Sequence, residues 1–188
     1  MNMKKWLLSP RSLPLLLLSL ALSACTGLPE NVAPVQDFAL QRYLGKWYEI
    51  ARLDHSFERG MTHVTAEYSL NADGSVRVIN RGFQTEDGEW EKADGRAKFV
   101  GSDDVGHLKV SFFGPFYASY VVFELGGDYQ YAMVSGFSKS NLWILARQPQ
   151  LPQKTLDKLV AQARAKGFPT EQLIFVDQSQ PPPVAAPQ

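Results

Sequence analysis

The chain has one cysteine among its 188 residues, so no disulfide can form within it and no thiol cluster can hold a metal. Histidine is nearly as scarce: His55, His63 and His107 are scattered without the spacing of metal ligands. No Gly-x-Ser-x-Gly elbow occurs, which removes the usual serine lipase, and no glycine loop is present that would cradle a dinucleotide or a phosphate. Asp54-His55-Ser56 brings three catalytic residue types together, but read as a strand its neighbours alternate faces and cannot converge. Neither catalysis nor a cofactor is therefore expected. Charge is not in surplus either: 19 Lys+Arg stand against 19 Asp+Glu, with no basic excess to suit nucleic acid. The apolar run from Leu13 to Ala24, interrupted by Pro14 and Ser19, falls well short of the ~20 residues that span a bilayer as a helix.

That run has another reading. Lys4, Lys5 and Arg11 introduce it, and Leu22-Ser23-Ala24-Cys25 ends it. A positive start, an apolar stretch and small residues before the cut form a secretory signal, and with cysteine in this place the segment resembles the lipobox of a bacterial lipoprotein. The resemblance implies that residues 1–24 are a signal peptide, that Cys25 is acylated, and that the mature chain meets a membrane through this lipid. Removing residues 1–24 takes three Lys+Arg and none of the 19 Asp+Glu, so the mature net charge is −3. Thr26, not aspartate, follows the cysteine, which implies sorting to an outer membrane with the domain facing the periplasm.

Residues 25–37 show no helical or strand period and read as a tether. Residues 178–188, with Pro181-Pro182-Pro183, read as a disordered tail. Between them, at 38–177, short β-rich runs follow one another between turn residues. Thr62 to Leu70 alternates, with Val64, Ala66, Tyr68 and Leu70 on one face. Asn71-Ala72-Asp73-Gly74, Asp87-Gly88 and Gly126-Gly127-Asp128 are turns. The runs Trp47–Leu53, Thr62–Leu70, Val76–Phe83, Trp90–Val100, His107–Phe113, Tyr117–Leu125, Tyr129–Gly136 and Asn141–Arg147 give about eight strands, a number that closes into a barrel holding one small ligand. The period then changes: Leu156, Leu159, Val160 and Ala163 form a helical stripe, stopped by Gly167 and Pro169. The expected fold is mainly β, an eight-stranded antiparallel up-and-down β-barrel with a C-terminal α-helix on its outside and one more short strand at Leu173–Val176.

Gly45-Lys46-Trp47-Tyr48, followed at the end of the eighth run by Leu142-Trp143-Ile144-Leu145-Ala146-Arg147, is similar to the paired motifs of the lipocalin family. Residues 49–60 and Ser111-Phe112-Phe113-Gly114-Pro115-Phe116-Tyr117 resemble its bacterial outer-membrane lipoproteins, relatives of apolipoprotein D. The resemblance covers Phe38 to Asp177. It implies that Arg147 lies across Trp47 at the closed end and that Gly45, Trp47 and Arg147 are structural. Ser135-Gly136-Phe137-Ser138 stands where a Thr-Asp-Tyr-like segment is expected, which implies a locally different closed end. The function implied is a lipid-anchored binder, and carrier or store, of a hydrophobic ligand such as a fatty acid or lysophospholipid; an envelope scaffold without lipid cargo is the alternative.

Ligand contacts are expected from inward aromatic and apolar side chains near the open mouth: Tyr68, Tyr117, Tyr120, Tyr131, Met133 and Trp143. Strand phase decides among them, since a bulge flips every residue after it. Phe112 to Tyr117 sets four aromatics around a Gly-Pro turn. A pocket rim, a self-association patch giving a homodimer, a surface on lipid headgroups and plain packing under a loop all remain open for it.

Overall fold

The computed structural model describes residues 26–178. The expected signal peptide, Cys25 and the chain beyond Gln178 lie outside the described residues.

A four-residue helix α1 (Leu40–Tyr43) leads into a meander of antiparallel strands: β1 (Gly45–Arg52), β2 (Met61–Leu70), β3 (Val76–Gln84), β4 (Glu89–Phe99), β5 (His107–Ser111), β6 (Ala118–Leu125), β7 (Tyr131–Ser135) and β8 (Leu142–Ala146). Each strand pairs with the next, and β1 pairs with both β2 and β8, so the eight close into the expected barrel. A meander puts alternate connections at the same end. The 53–60, 85–88, 112–117 and 136–141 connections surround one mouth, while the 71–75, 100–106 and 126–130 connections share the other end with α1.

The second end is closed by aromatic packing. Phe38 is buried, with ring centroids 5.2 Å from Tyr43, 6.1 Å from Phe99 and 6.3 Å from Tyr129. The Tyr129 hydroxyl accepts the Ala39 amide at 2.8 Å. Two apolar cores share the barrel wall between them. Trp47, Tyr68, Val78, Leu108, Val122, Val134 and Leu145 point inward. Ile50, Val121, Phe123, Met133, Leu142 and Ile144 point outward and pack beneath helix α2 (Gln153–Ala165) through Leu159 and Ala163. The helix ends as a Schellman motif: Phe168 donates to the Ala163 carbonyl at 3.1 Å, and Gly167, at φ +86°, donates to Arg164 at 2.9 Å. The Phe168 ring then stacks on Phe123, 5.4 Å between centroids.

The last described residues are part of the wall. β2 pairs with β1 only along Gly45–Tyr48; higher up, β9 (Ile174–Phe175) takes its place beside Ala51 and Arg52. Gln178, expected to open the disordered tail, spans this seam, with its amide donating to the carbonyls of Glu49 (2.9 Å) and Val64 (2.8 Å). Residues 26–37 likewise depart from a free tether. Val32 is buried, Val35 exchanges hydrogen bonds of 2.9 Å with Val122 and Gly106, and the Gly27 carbonyl accepts from Ser119 Oγ at 2.8 Å. Isolated side chains and carbonyls make these contacts, so no period marks them in the sequence.

Candidate functional site

The interior is built in tiers. At its floor Trp47 is wholly buried, and the Arg147 guanidinium lies 3.9 Å from the centre of its ring. Arg147 also donates to three carbonyls: Lys46 at 2.9 Å, Arg42 at 2.6 Å and Tyr129 at 3.3 Å. The Trp47 indole N–H goes to Tyr43 O at 2.8 Å. Gly45 adopts φ +90°, a conformation L-residues rarely take, where the chain turns from α1 into β1. Among the described residues, every hydrogen bond that Arg147 makes goes to a backbone carbonyl at the closed end.

Above the floor three tyrosines meet. The hydroxyl of Tyr120 lies 2.7 Å from that of Tyr43 and 2.7 Å from that of Tyr68. Burial pushes all three phenols up; Tyr68 adds to this for Tyr43, and Tyr43 and Tyr68 both add to it for Tyr120. The hydrogen bonds from Tyr120 pull Tyr43 and Tyr68 the other way without undoing the rise, so the cluster stays neutral. Small residues also occupy inward positions: Ala66 and Ala118 are the next inward residues towards the mouth from Tyr68 and Tyr120 on the same strands, and Gly95 and Ala97 are inward on β4. Phe112 folds in over Gly95, where a Cβ would come within 2.7 Å of its ring. Asn80, between Ala66 and Ala93 in register, keeps a buried Oδ1 with no protein partner.

Towards the mouth lies a charged group that the sequence reading passed over. Glu49 and Arg52 are buried and paired at 2.8 Å. Arg52 also donates to the carbonyls of Glu58 (2.6 Å) and Met61 (3.1 Å), holding the 53–60 loop over the opening. The Glu58 carboxylate accepts the Trp143 indole N–H at 3.1 Å and lies 2.9 Å from His55 Nε2. Burial, then the nearby Glu58 charge, pushes the Glu49 carboxyl well up, against the pull of Arg52. Burial acts on Glu58 in the same sense, but His55, Trp143 and Arg52 outweigh it and hold that carboxyl low. The arrangement is an ionised Glu58 and a Glu49 that keeps its proton more readily. The available signal was the phase of β1: Glu49 sits two residues from Trp47 and so shares its inward side.

Of the expected ligand residues, Tyr68, Tyr120 and Trp143 converge inside the barrel. Met133 and Tyr131 do not. Ala132 and Val134 take the inward positions of β7, and their bulkier neighbours pack outward against the helix layer. Tyr117 also lies outside, its ring 5.2 Å from Lys109 Nζ on the outer wall. Asp54-His55-Ser56 is not strand, since β1 ends at Arg52; His55 turns inward to Glu58 while Asp54 pairs with Arg59 at the surface. Ser135 to Ser138 lies at the open mouth, not the closed end. The Asp-Tyr pair at the closed end is Asp128-Tyr129, whose carbonyl Arg147 holds and whose carboxylate pairs with Arg42 at 3.3 Å. Among the described residues, no three His, Cys, Asp or Glu side chains converge on a metal position.

The chain is 54 % identical over 169 residues to the outer membrane lipoprotein Blc of Vibrio cholerae, covering 89 % of this chain and 99 % of that one. It is 34 % identical over 183 residues to bovine apolipoprotein D, covering 88 % and 95 % respectively. Insecticyanin from the tobacco hornworm Manduca sexta superposes with a TM-score of 0.65 at 22 % identity, over 82 % of this chain and 88 % of that one, a likeness of fold. Residues 38–178 match the family model of the lipocalin-like domain, and the chain belongs to the lipocalin family.

Proposed function

We propose that this lipocalin is held in the outer membrane by an acylated Cys25, faces the periplasm, and binds a fatty acid or lysophospholipid in its barrel for transport or storage. The observation that carries the reading is the inward Tyr120 hydroxyl, fixed by Tyr43 and Tyr68 beside small inward residues. An acyl chain laid along Ala66, Ala97 and Ala118 leaves water at ~0.8 kcal/mol per methylene, offset in part by the torsions it loses. Its polar end then reaches Asn80 and the charged group at the mouth. Asn80 Oδ1 offers an acceptor to the glycerol hydroxyl of a lysophospholipid.

Fluorescence titration of a chain beginning at Thr26 with lysophospholipids and long-chain fatty acids tests this. Saturable binding that Tyr120→Ala weakens supports a lipid carrier. A folded chain that takes up neither lipid sinks it in favour of a scaffold.

A further inference from the structure

We infer that the open mouth rests directly on the lipid surface that holds the anchor, so that ligand passes between bilayer and barrel without crossing water. This rests on Cys25 being the acylated residue. Its first support is the place where the described chain begins. The Gly27 carbonyl is fixed to Ser119, and the Thr26 backbone is hydrogen-bonded by His107. Ser119 is the second residue of β6, at the open end of the barrel. Cys25 is two positions before Gly27, a reach of at most ~7 Å. The closed-end terminus of β6 at Leu125 is six residues from Ser119, ~20 Å along the strand. Val32 and Val35 pin the following segment to the wall, so no slack chain compensates. A membrane holding Cys25 therefore lies at the level of the mouth and not beneath the closed end.

The second support is which surface is apolar. Phe113 is 82 % exposed, Phe116 77 %, Phe57 66 % and Phe137 50 %. They come from three of the four mouth loops, 53–60, 112–117 and 136–141, which are consecutive around the rim. Exposed rings gathered at one end of a barrel mark an interaction surface, and aromatic side chains at a lipid interface add apolar burial to the hold of an acyl anchor. The fourth loop, residues 85–88, carries Glu86 and Asp87. Anionic headgroups repel it, so the barrel leans on its three phenylalanine-bearing loops with the β3–β4 hairpin lifted. A second copy on the same face would set both anchors at the joint between two mouths, where no bilayer fits.

The test uses the full acylated protein in phosphatidylethanolamine–phosphatidylglycerol vesicles with brominated acyl chains. Phe113→Cys, Phe137→Cys and Asp103→Cys variants each carry an environment-sensitive dye, Asp103 being exposed at the closed end. Bromolipid quenching is expected to be several-fold stronger at positions 113 and 137 than at 103. Equal or stronger quenching at 103, or weak quenching at all three, overturns the orientation. Crosslinking between copies at 113 without bromolipid quenching overturns it in favour of a mouth-to-mouth dimer. Mass spectrometry of the N-terminal peptide separates the two readings: an acylated peptide with the wrong quenching pattern sinks the orientation alone, an unacylated one sinks the anchor and the orientation together.

Discussion

Glu49 and Arg52 are three residues apart in β1 and yet form a buried ion pair of 2.8 Å on the same side of the strand. Strict alternation would send them to opposite faces. The pairing of β1 with β8 slips between Glu49 and Ala51, and the extra residue, Ile50, turns out under the helix while Arg52 returns to the interior. The bulge thus puts a cation beneath the mouth and ties the loop above it to the barrel.

Removing one partner of this pair is expected to be asymmetric. Arg52→Met leaves two carbonyls and a carboxyl without their donor and should cost ~3 to 5 kcal/mol in urea unfolding, as for other broken buried pairs. Glu49→Gln keeps a hydrogen-bond acceptor and should cost clearly less. Equal losses would mean that Glu49 is not the readily protonated member.

The same carboxyl sets a pH dependence. Its raised pKa means that above the ordinary value of 4.5 the folded chain keeps a proton the unfolded chain has released. That contribution to stability is complete below the ordinary value and lost as pH rises through the folded one. Glu58, held low, acts in the opposite sense: its contribution is complete above the ordinary value and lost as pH falls through the folded pKa. Urea midpoints measured upward from about pH 5 should therefore decline less in Glu49→Gln than in the parent chain. Parallel curves would refute the assignment.

Tyr120→Phe removes the hydroxyl shared by Tyr43 and Tyr68 and should cost ~1 to 3 kcal/mol while weakening ligand binding. Met133→Ala is the contrast: it should destabilise by ~2 to 5 kcal/mol, because its side chain fills the space under the helix. Its ligand affinity per folded molecule should not change. Weaker binding in Met133→Ala than in Tyr120→Phe would place Met133 inside the barrel.

These contrasts show what the sequence could and could not convey. The eight strands were legible because Asn71–Gly74, Asp87-Gly88 and Gly126–Asp128 punctuate them. Phase along β7 was not, because Ala132, Met133, Val134 and Ser135 are all buried, some inward and some under the helix, so apolar alternation has no wet face to mark it. Slips in pairing near Ile50, His63 and Phe123 compounded this. The Arg147–Trp47 contact was readable from its paired motifs, whereas Glu49, Arg52, His55 and Glu58 look like surface charge until the bulge and the loop bring them together.

Arg147→Lys should behave as a loss and not as a conservative change. A lysine ammonium cannot match the planar fork that reaches Lys46, Arg42 and Tyr129 while covering Trp47. The stacking is worth ~1 to 2 kcal/mol, and the carbonyls left behind add to it. Arg147→Lys and Arg147→Ala should therefore lower stability by similar amounts, read from far-UV circular dichroism in urea. Full retention by lysine would show that charge alone suffices there.

The segment before the barrel gives the sharpest contrast with a free linker. If residues 26–37 were a tether, substitutions in them would leave barrel stability unchanged. Val32 is buried against the outer core, and Val35 adds two backbone hydrogen bonds to the wall at Val122 and Gly106. Val32→Ala removes two methyl groups, worth ~0.8 kcal/mol each by transfer alone, and the cavity left behind raises the cost. A loss of ~1.5 to 3 kcal/mol is expected, with Leu28→Ser, at an exposed position, near neutral. Loosening this strap should also weaken bromolipid quenching at position 113, because the link between anchor and rim runs through the same residues. Unchanged stability in Val32→Ala would return the segment to a tether and remove the first support for a mouth held against the bilayer.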